Sequence, residues 1–272
     1  MKKLTDRFGP WALVTGATAG IGHEFAKQLA ADGMNIVLVA RRRALLEQRA
    51  GEIAAKYGVE TLTVALDLSR DGFMTTLRAA TEGLLIGVVI NNAGTGVLGE
   101  FLGNDIDREL DILNLNTRAP LLISHAYGRE MAQRGRGALL IVSSVMGVLA
   151  TPRFAHYAAT KAYGLLLAES LRAELHDQGV DVLALLPGFT RSEFVDNLDL
   201  SKLPMPIADP QHVVAAALRG IGRSSVVVPG LMNRILFAMA PFLPRAFKAW
   251  MMGMIMKRVG RKSVPRLERA SA

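Results

Sequence analysis

Up to about Gly230, short apolar runs rich in β-branched residues alternate with longer amphipathic stretches. The runs fall at residues 11–15, 35–40, 61–66, 86–90, 138–142, 180–186 and 225–228. Segments with helical periodicity lie between them, at 21–31, 43–57, 105–133, 154–178 and 210–222. Strands that are apolar almost without interruption require a sheet covered on both faces. Their alternation with helices predicts βαβ units, right-handed crossovers and a doubly wound parallel sheet of the α/β class. No linker precedes Gly230, so residues 1–230 read as one domain. Residues 231–272 read as a helical C-terminal extension, both basic and apolar, with about the last ten residues expected to be disordered.

Composition changes this picture in two places. Cysteine is absent, which excludes disulfides, thiol nucleophiles and thiolate metal sites and suits a reducing, cytoplasmic setting. The segment from Met1 to Trp11 has no apolar run of the kind a signal peptide needs. The net charge is +8, and nine basic residues against the single acid Glu268 place all of it after Gly230. A neutral body does not suit nucleic acid, which calls for cations along a groove-facing element. His23, His125, His156, His176 and His212 lack the spacing of a metal site, and no metal is expected.

Thr15-Gly16-Ala17-Thr18-Ala19-Gly20-Ile21-Gly22 joins the first predicted strand to the first helix. Glycines there allow a sharp turn and close approach to a pyrophosphate, which the helix N-terminus attracts with free N–H groups and its dipole. The second strand ends in Val39-Ala40-Arg41-Arg42-Arg43. An acid at this point would hold a ribose 2′-hydroxyl, whereas Arg41 pairs with a 2′-phosphate. NADPH is therefore expected over NADH, while Arg43 reads as a solvated helix start. Asp67-Leu68 closes the third strand, where Asp67 either accepts from an adenine amino group or caps the next segment. Asn91-Asn92-Ala93-Gly94 closes the fourth, its small residues suited to packing against a nucleotide.

The reacting groups follow the fifth strand. Ser144 stands at its end, and Tyr157 and Lys161 are four residues apart on one helix face, about 5–6 Å between Cβ atoms. A phenol with its ordinary pKa of about 10 is a poor acid–base catalyst at neutrality. A neighbouring ammonium lowers that value, and the Ser144 hydroxyl can donate to a carbonyl oxygen as alkoxide character develops.

The Thr15–Gly22 segment, Asn91–Gly94, the Ser144…Tyr157-x-x-x-Lys161 set and Pro187-Gly188 together resemble the short-chain dehydrogenase/reductase family across roughly residues 10–230. The resemblance implies a seven-stranded Rossmann-like sheet in the order 3-2-1-4-5-6-7. It implies that Tyr157 protonates the substrate oxygen as nicotinamide gives hydride, that Lys161 lowers the Tyr157 pKa and binds the nicotinamide ribose, and that Ser144 orients the carbonyl. It also implies a relay asparagine, with Asn116 the choice and Asn114 the alternative. Pro187, Gly188, Thr190 and Ser192 fall in the segment that contacts the nicotinamide amide, with Ser192 where threonine is usual. Ala19 leaves the glycine loop without a base, so recognition of the 2′-phosphate rests on Arg41 and Arg42. The helix bearing Tyr157 commonly builds a dimer interface in this family, and Gly164, Ala168 and Leu171 suggest close helix packing there. A homodimer or homotetramer is expected.

The extension has two readings. Its Met-, Phe- and Leu-rich runs at 235–243 and 249–256 either cover the substrate pocket or, within 231–262, lie on an anionic membrane surface. Its apolar character hints at a hydrophobic carbonyl substrate, 3-ketoacyl or steroid-like. The rivals to a carbonyl reductase are a non-catalytic NADPH-binding scaffold and an isomerase or epimerase using the same cofactor.

Overall fold

The computed structural model describes residues 3–194 and 206–259. Its centre is a seven-stranded parallel sheet in the order β3-β2-β1-β4-β5-β6-β7. The strands are β1 (Trp11–Thr15), β2 (Asn35–Ala40), β3 (Thr61–Ala65), β4 (Ile86–Asn91), β5 (Gly137–Val142), β6 (Val180–Leu185) and β7 (Val226–Val227). The main helices are α1 (Leu4–Phe8), α2 (Gly20–Ala31), α3 (Arg43–Tyr57), α4 (Phe73–Ala80), α5 (Ile106–Leu113), α6 (Ala119–Gln133), α7 (Ala155–Leu175), α8 (Pro210–Gly220), α9 (Leu231–Met239) and α10 (Arg245–Val259).

The apolar strands are buried on both faces, as a sheet between two helical layers requires. Ala12 and Val14 of β1 face one layer, where Phe25 and Leu29 of α2, Leu46 and Ile53 of α3 and Val213 of α8 fill the core. Leu13 faces the other, against Ile123 and Met131 of α6 and Leu165 and Ala168 of α7. A third apolar cluster joins Met252, Met256 and Val259 of α10 to Leu98, Met146, Phe154 and Ala158, close to the reacting end of the sheet.

Three local features differ from the sequence expectation. The predicted helix over 105–133 is interrupted by a π-helical turn, Asn114–Arg118, between α5 and α6. Helix α4 has only two buried apolar anchors, Phe73 and Leu77. Gly164 and Ala168 serve the subunit's own sheet: a Cβ at Gly164 would stand 3.3 Å from Ile141 of β5, and Ala168 is fully buried in that layer. The outward apolar residue on α7 is instead Leu166, 64% exposed. The expected disorder of the C-terminal ten residues, and residues 260–262 of the suggested membrane-contacting stretch, lie outside the described residues.

Candidate active site

The strand order reverses at β1, which pairs with β2 on one side and β4 on the other. Such a switch point opens a crevice at the carboxyl ends of the strands. A cavity of about 510 Å³ occupies it. Every cofactor or catalytic residue chosen from the sequence lines this cavity except Gly22 and Asn116.

At the phosphate end, Gly16 and Gly20 take φ of +68° and +54°, a conformation that β-carbons disfavour. Ala19 caps α2 without a side-chain hydrogen bond, leaving the first N–H groups of the helix to the cavity. Gly22 packs behind this loop, where a Cβ would collide with the Gly16 carbonyl oxygen and the Asn92 amide. Asn92 holds the loop in place, donating from Nδ2 to the Thr15 carbonyl at 2.9 Å. The Thr15 hydroxyl accepts from the backbone N–H groups of Asn92 and Ala93, at 3.0 Å each. Glycine and asparagine segments distant in sequence thus make one hydrogen-bonded wall of the cavity.

At the far end of that wall, Arg41, Arg42, Asp67 and Leu68 line the cavity. Arg42 Nη2 pairs with Glu193 at 2.8 Å and donates to Thr18 Oγ1 at 3.2 Å, bridging the first and last loops of the crevice. Partial burial opposes charge on Asp67. The Ser69 backbone N–H and hydroxyl, helped by the Arg41 and Arg70 charges, outweigh it and hold the carboxyl below its usual range. Asp67 therefore caps its turn through Ser69 and also faces the cavity.

At the reacting end, Ser144 Oγ accepts from the Met146 N–H at 3.2 Å, which leaves its own proton free to donate. Burial pushes the Tyr157 phenol well above its ordinary pKa, and the Ser144 hydroxyl draws it part of the way back. Lys161 Nζ stands 5.6 Å from the centroid of the Tyr157 ring and donates to the Val142 carbonyl at 2.8 Å. Burial pushes Lys161 down to about 8. The direct lowering of the phenol by the ammonium, expected from their spacing, is not what governs either group. Desolvation dominates both.

Asn116 is buried in the π-helical turn. Its Oδ1 accepts from the Thr95 N–H at 3.0 Å, and its Nδ2 donates to the Thr95 carbonyl at 2.8 Å and to Thr160 Oγ1 at 3.0 Å. A Cβ on Gly94 would stand 3.1 Å from Lys161 Nζ and 3.3 Å from Asn116 Oδ1, so Asn116 and Lys161 flank the same glycine. Several contributors went unnoticed in the sequence. Gly96 leaves room for the Tyr157 ring, whose Cδ2 would lie 2.7 Å from a Cβ there. Phe154 stacks on Tyr157 at 4.5 Å between centroids, and Phe194 lies 5.3 Å from it on the cavity wall. The π turn left no signal in the apolar pattern of the sequence. Across the cavity, Asn233 of α9 packs against Gly188, where a Cβ would come within 2.6 Å of the Asn233 amide. Among the described residues no cluster of His, Asp or Glu could hold a metal.

The family model for short chain dehydrogenases matches residues 10–202. The chain belongs to the short-chain dehydrogenase family. It is 35% identical over 240 residues to a 7β-hydroxysteroid dehydrogenase of Collinsella aerofaciens, covering 85% of this chain and 90% of the relative. It is 32% identical over 260 residues to a very-long-chain 3-oxoacyl-CoA reductase of Anas platyrhynchos, covering 93% of this chain and 78% of the relative. A short-chain dehydrogenase from Sphingobium yanoikuyae, solved in complex with NADPH, superposes with a TM-score of 0.77 at 30% identity and covers 87% of this chain and 97% of its own. Membership makes the protein a nicotinamide-dependent oxidoreductase acting between alcohol and carbonyl carbons. The sheet order implied by the resemblance is the order observed.

Proposed function

We propose that this dehydrogenase is an NADPH-dependent reductase of bulky apolar ketones, with Tyr157 as the proton donor. The observation that carries this reading is the single cavity lined at one end by Arg41 and Arg42 and at the other by Ser144 and Tyr157. The glycine wall and the open α2 N-terminus would hold the pyrophosphate, and Arg41 with Arg42 the 2′-phosphate. When bound, NADPH supplies the hydride that the carbonyl carbon takes. Ser144 donates a hydrogen bond to the carbonyl oxygen, and Tyr157 gives that oxygen its proton, so the ketone becomes a secondary alcohol. A phenol raised by burial stays protonated across neutral pH, which suits proton donation more than abstraction. The Lys161 cation beside the ring offsets the negative charge left on Tyr157. Asn116 positions the Thr95 backbone and the turn next to Lys161.

Substrate class follows from the third apolar cluster. Met146 of that cluster lines the cavity beside Tyr157, Phe189 and Phe194. Tyr157 and Phe189 in turn pack against the cluster that holds Phe154, Met252 and Met256, and methionines adapt to irregular apolar shapes. The steroid and very-long-chain acyl activities of the two relatives are consistent with such a lining.

Assay of a panel of steroid, 3-oxoacyl and small water-soluble ketones with both cofactors tests the reading. The bulky ketones should be preferred, and kcat/KM should favour NADPH. Arg41→Ala with Arg42→Ala should cost about 10- to 100-fold in kcat/KM for NADPH and little for NADH, the loss of charge-assisted bonds to one phosphate. Tyr157→Phe should retain NADPH binding and lose at least about 10²-fold in kcat. Turnover by Tyr157→Phe near that of the wild type would remove the role given to Tyr157.

A further inference from the structure

Helix α10 is apolar on two opposite sides. Its inner stripe, Met252, Met256 and Val259, packs into the cluster around Met146 and Phe154. Its outer stripe, Phe247, Trp250 and Met254, recurs every three or four residues and faces solvent, with Trp250 59% exposed. The Phe247 and Trp250 rings lie 5.7 Å apart. On α9, Leu231, Ile235 and Met239 form a second exposed stripe at four-residue spacing, and Phe242 in the connecting turn is 81% exposed. A helix with apolar stripes on two opposite sides needs apolar cover for both, and the core covers only one side of this pair.

The polar residues of this segment are equally one-sided. From Leu231 to Val259 there are five cations, Arg234, Arg245, Lys248, Lys257 and Arg258, and no acid. Lys248 turns back to the Ala240 carbonyl at 2.8 Å, while the four arginines and lysines that remain are exposed. The one uncharged polar side chain is Asn233, which donates to the Pro229 carbonyl. The molecule is thus a neutral body with a cationic, apolar end.

We propose that α9 and α10 dock this end on an anionic lipid surface, with their outer stripes in the headgroup–acyl boundary. The chemistry of the face selects that occupant. A protein interface makes about one hydrogen bond per 100–200 Å². The exposed side chains described on α9 and α10 offer hydrocarbon and donors alone, the cations and the Trp250 indole N–H, with no oxygen acceptor among them. A second copy related by two-fold symmetry would set the cationic face against itself with no carboxylate to accept it. Apolar burial combined with Lys and Arg attraction is the pattern of a helix lying in a membrane interface. None of the described helices is long and apolar enough to cross a membrane, and α9 and α10 have 9 and 15 residues, so the contact is superficial. The docking stands independently of the substrate.

The full chain is to be sedimented with phosphatidylcholine vesicles and with vesicles containing about one-third phosphatidylserine. Binding should be at least about tenfold tighter to the anionic vesicles and should weaken as salt rises. Trp250 fluorescence should shift to the blue on binding. Phe242→Ser with Trp250→Ser should lose at least about tenfold in vesicle binding at unchanged Tm. Arg245→Glu with Lys257→Glu and Arg258→Glu should erase the preference for phosphatidylserine. Absence of wild-type pelleting, or equal pelleting by the Phe242/Trp250 variant, would overturn the proposal. So would a fall in oligomer mass in that variant alongside no lipid binding by the wild type, which would assign the face to a second copy.

Discussion

Lys161 carries its charge in a place that resists charge, and this has two measurable consequences. With its folded pKa at about 8, the ammonium is lost as pH rises through that value. If the charge supports proton transfer from Tyr157, kcat/KM for ketone reduction should be flat at neutrality. It should then fall about tenfold per pH unit above about 8. A pH–rate profile free of any limb between pH 7 and 9 would dismiss that support. The second consequence concerns stability. The ordinary lysine value is 10.5, so between about 8 and 10.5 the unfolded chain binds more protons than the folded one. Stability from this group therefore rises with pH across that window, and its penalty is present in full below pH 8. Lys161→Met should raise Tm at pH 7 by a few degrees, less what the lost bond to Val142 contributes, while turnover collapses. The side chains themselves were legible because Ser144, Tyr157 and Lys161 keep a spacing that a strand end and a helix convert into proximity. Their electrostatics were not, because burial and the Val142 carbonyl belong to the folded chain and not to a four-residue interval.

At the scale of elements, strands were more legible than helices. A parallel strand buried on two faces reads as an unbroken apolar run wherever it lies, as β2 and β4 do. Helix α4 is amphipathic but only eight residues long, with two buried anchors, Phe73 and Leu77, too short a stretch to stand out from a loop. The π turn at Asn114–Arg118 changes the backbone register without changing the apolar pattern, so α5 and α6 read as one helix. Glycines give an element-scale test because their surroundings differ so widely. In α2, a β-carbon on Gly22 meets the Gly16 carbonyl, which is backbone and cannot rotate away. Gly22→Ala should cost about 1–3 kcal/mol and raise the Kd for NADPH, the latter measured by fluorescence titration. In the middle of α3, nothing lies within 4 Å of the β-carbon position of Gly51. Gly51→Ala should instead stabilise by up to about 1 kcal/mol and leave cofactor binding alone. Paired thermal melts separate the two, and equal shifts would contradict the packing described for the glycine wall.

Among the described residues, exposed apolar side chains gather on a C-terminal face and on a second face, and charge distinguishes what each can meet. The C-terminal face is cationic throughout, a partition visible in the sequence because all the net charge falls after Gly230. The other runs along the outside of α5 and α6, where Ile106, Leu110, Leu113 and Leu121 are between 42% and 64% exposed. Leu166 adds an exposed leucine on α7. In sequence Ile106, Leu110 and Leu113 recur at i, i+4 and i+7, a stripe that reads as core-facing, and the small residues singled out on α7 turned inward to the sheet. Charges near it are of both signs, among them Asp107, Arg108, Asp111 and Arg118. A two-fold axis through such a surface sets aliphatic side chains against their own copies without opposing like charges, which the cationic end cannot do. Self-association is therefore expected here: a dimer or larger by light scattering, with Leu113→Glu and Leu121→Glu together reducing the mass to that of one chain. Because these leucines stand outside the cavity, NADPH binding should survive the substitution. A wild type that is monomeric at micromolar concentration would refute this face as an interface, and a double variant of unchanged mass would move the interface elsewhere.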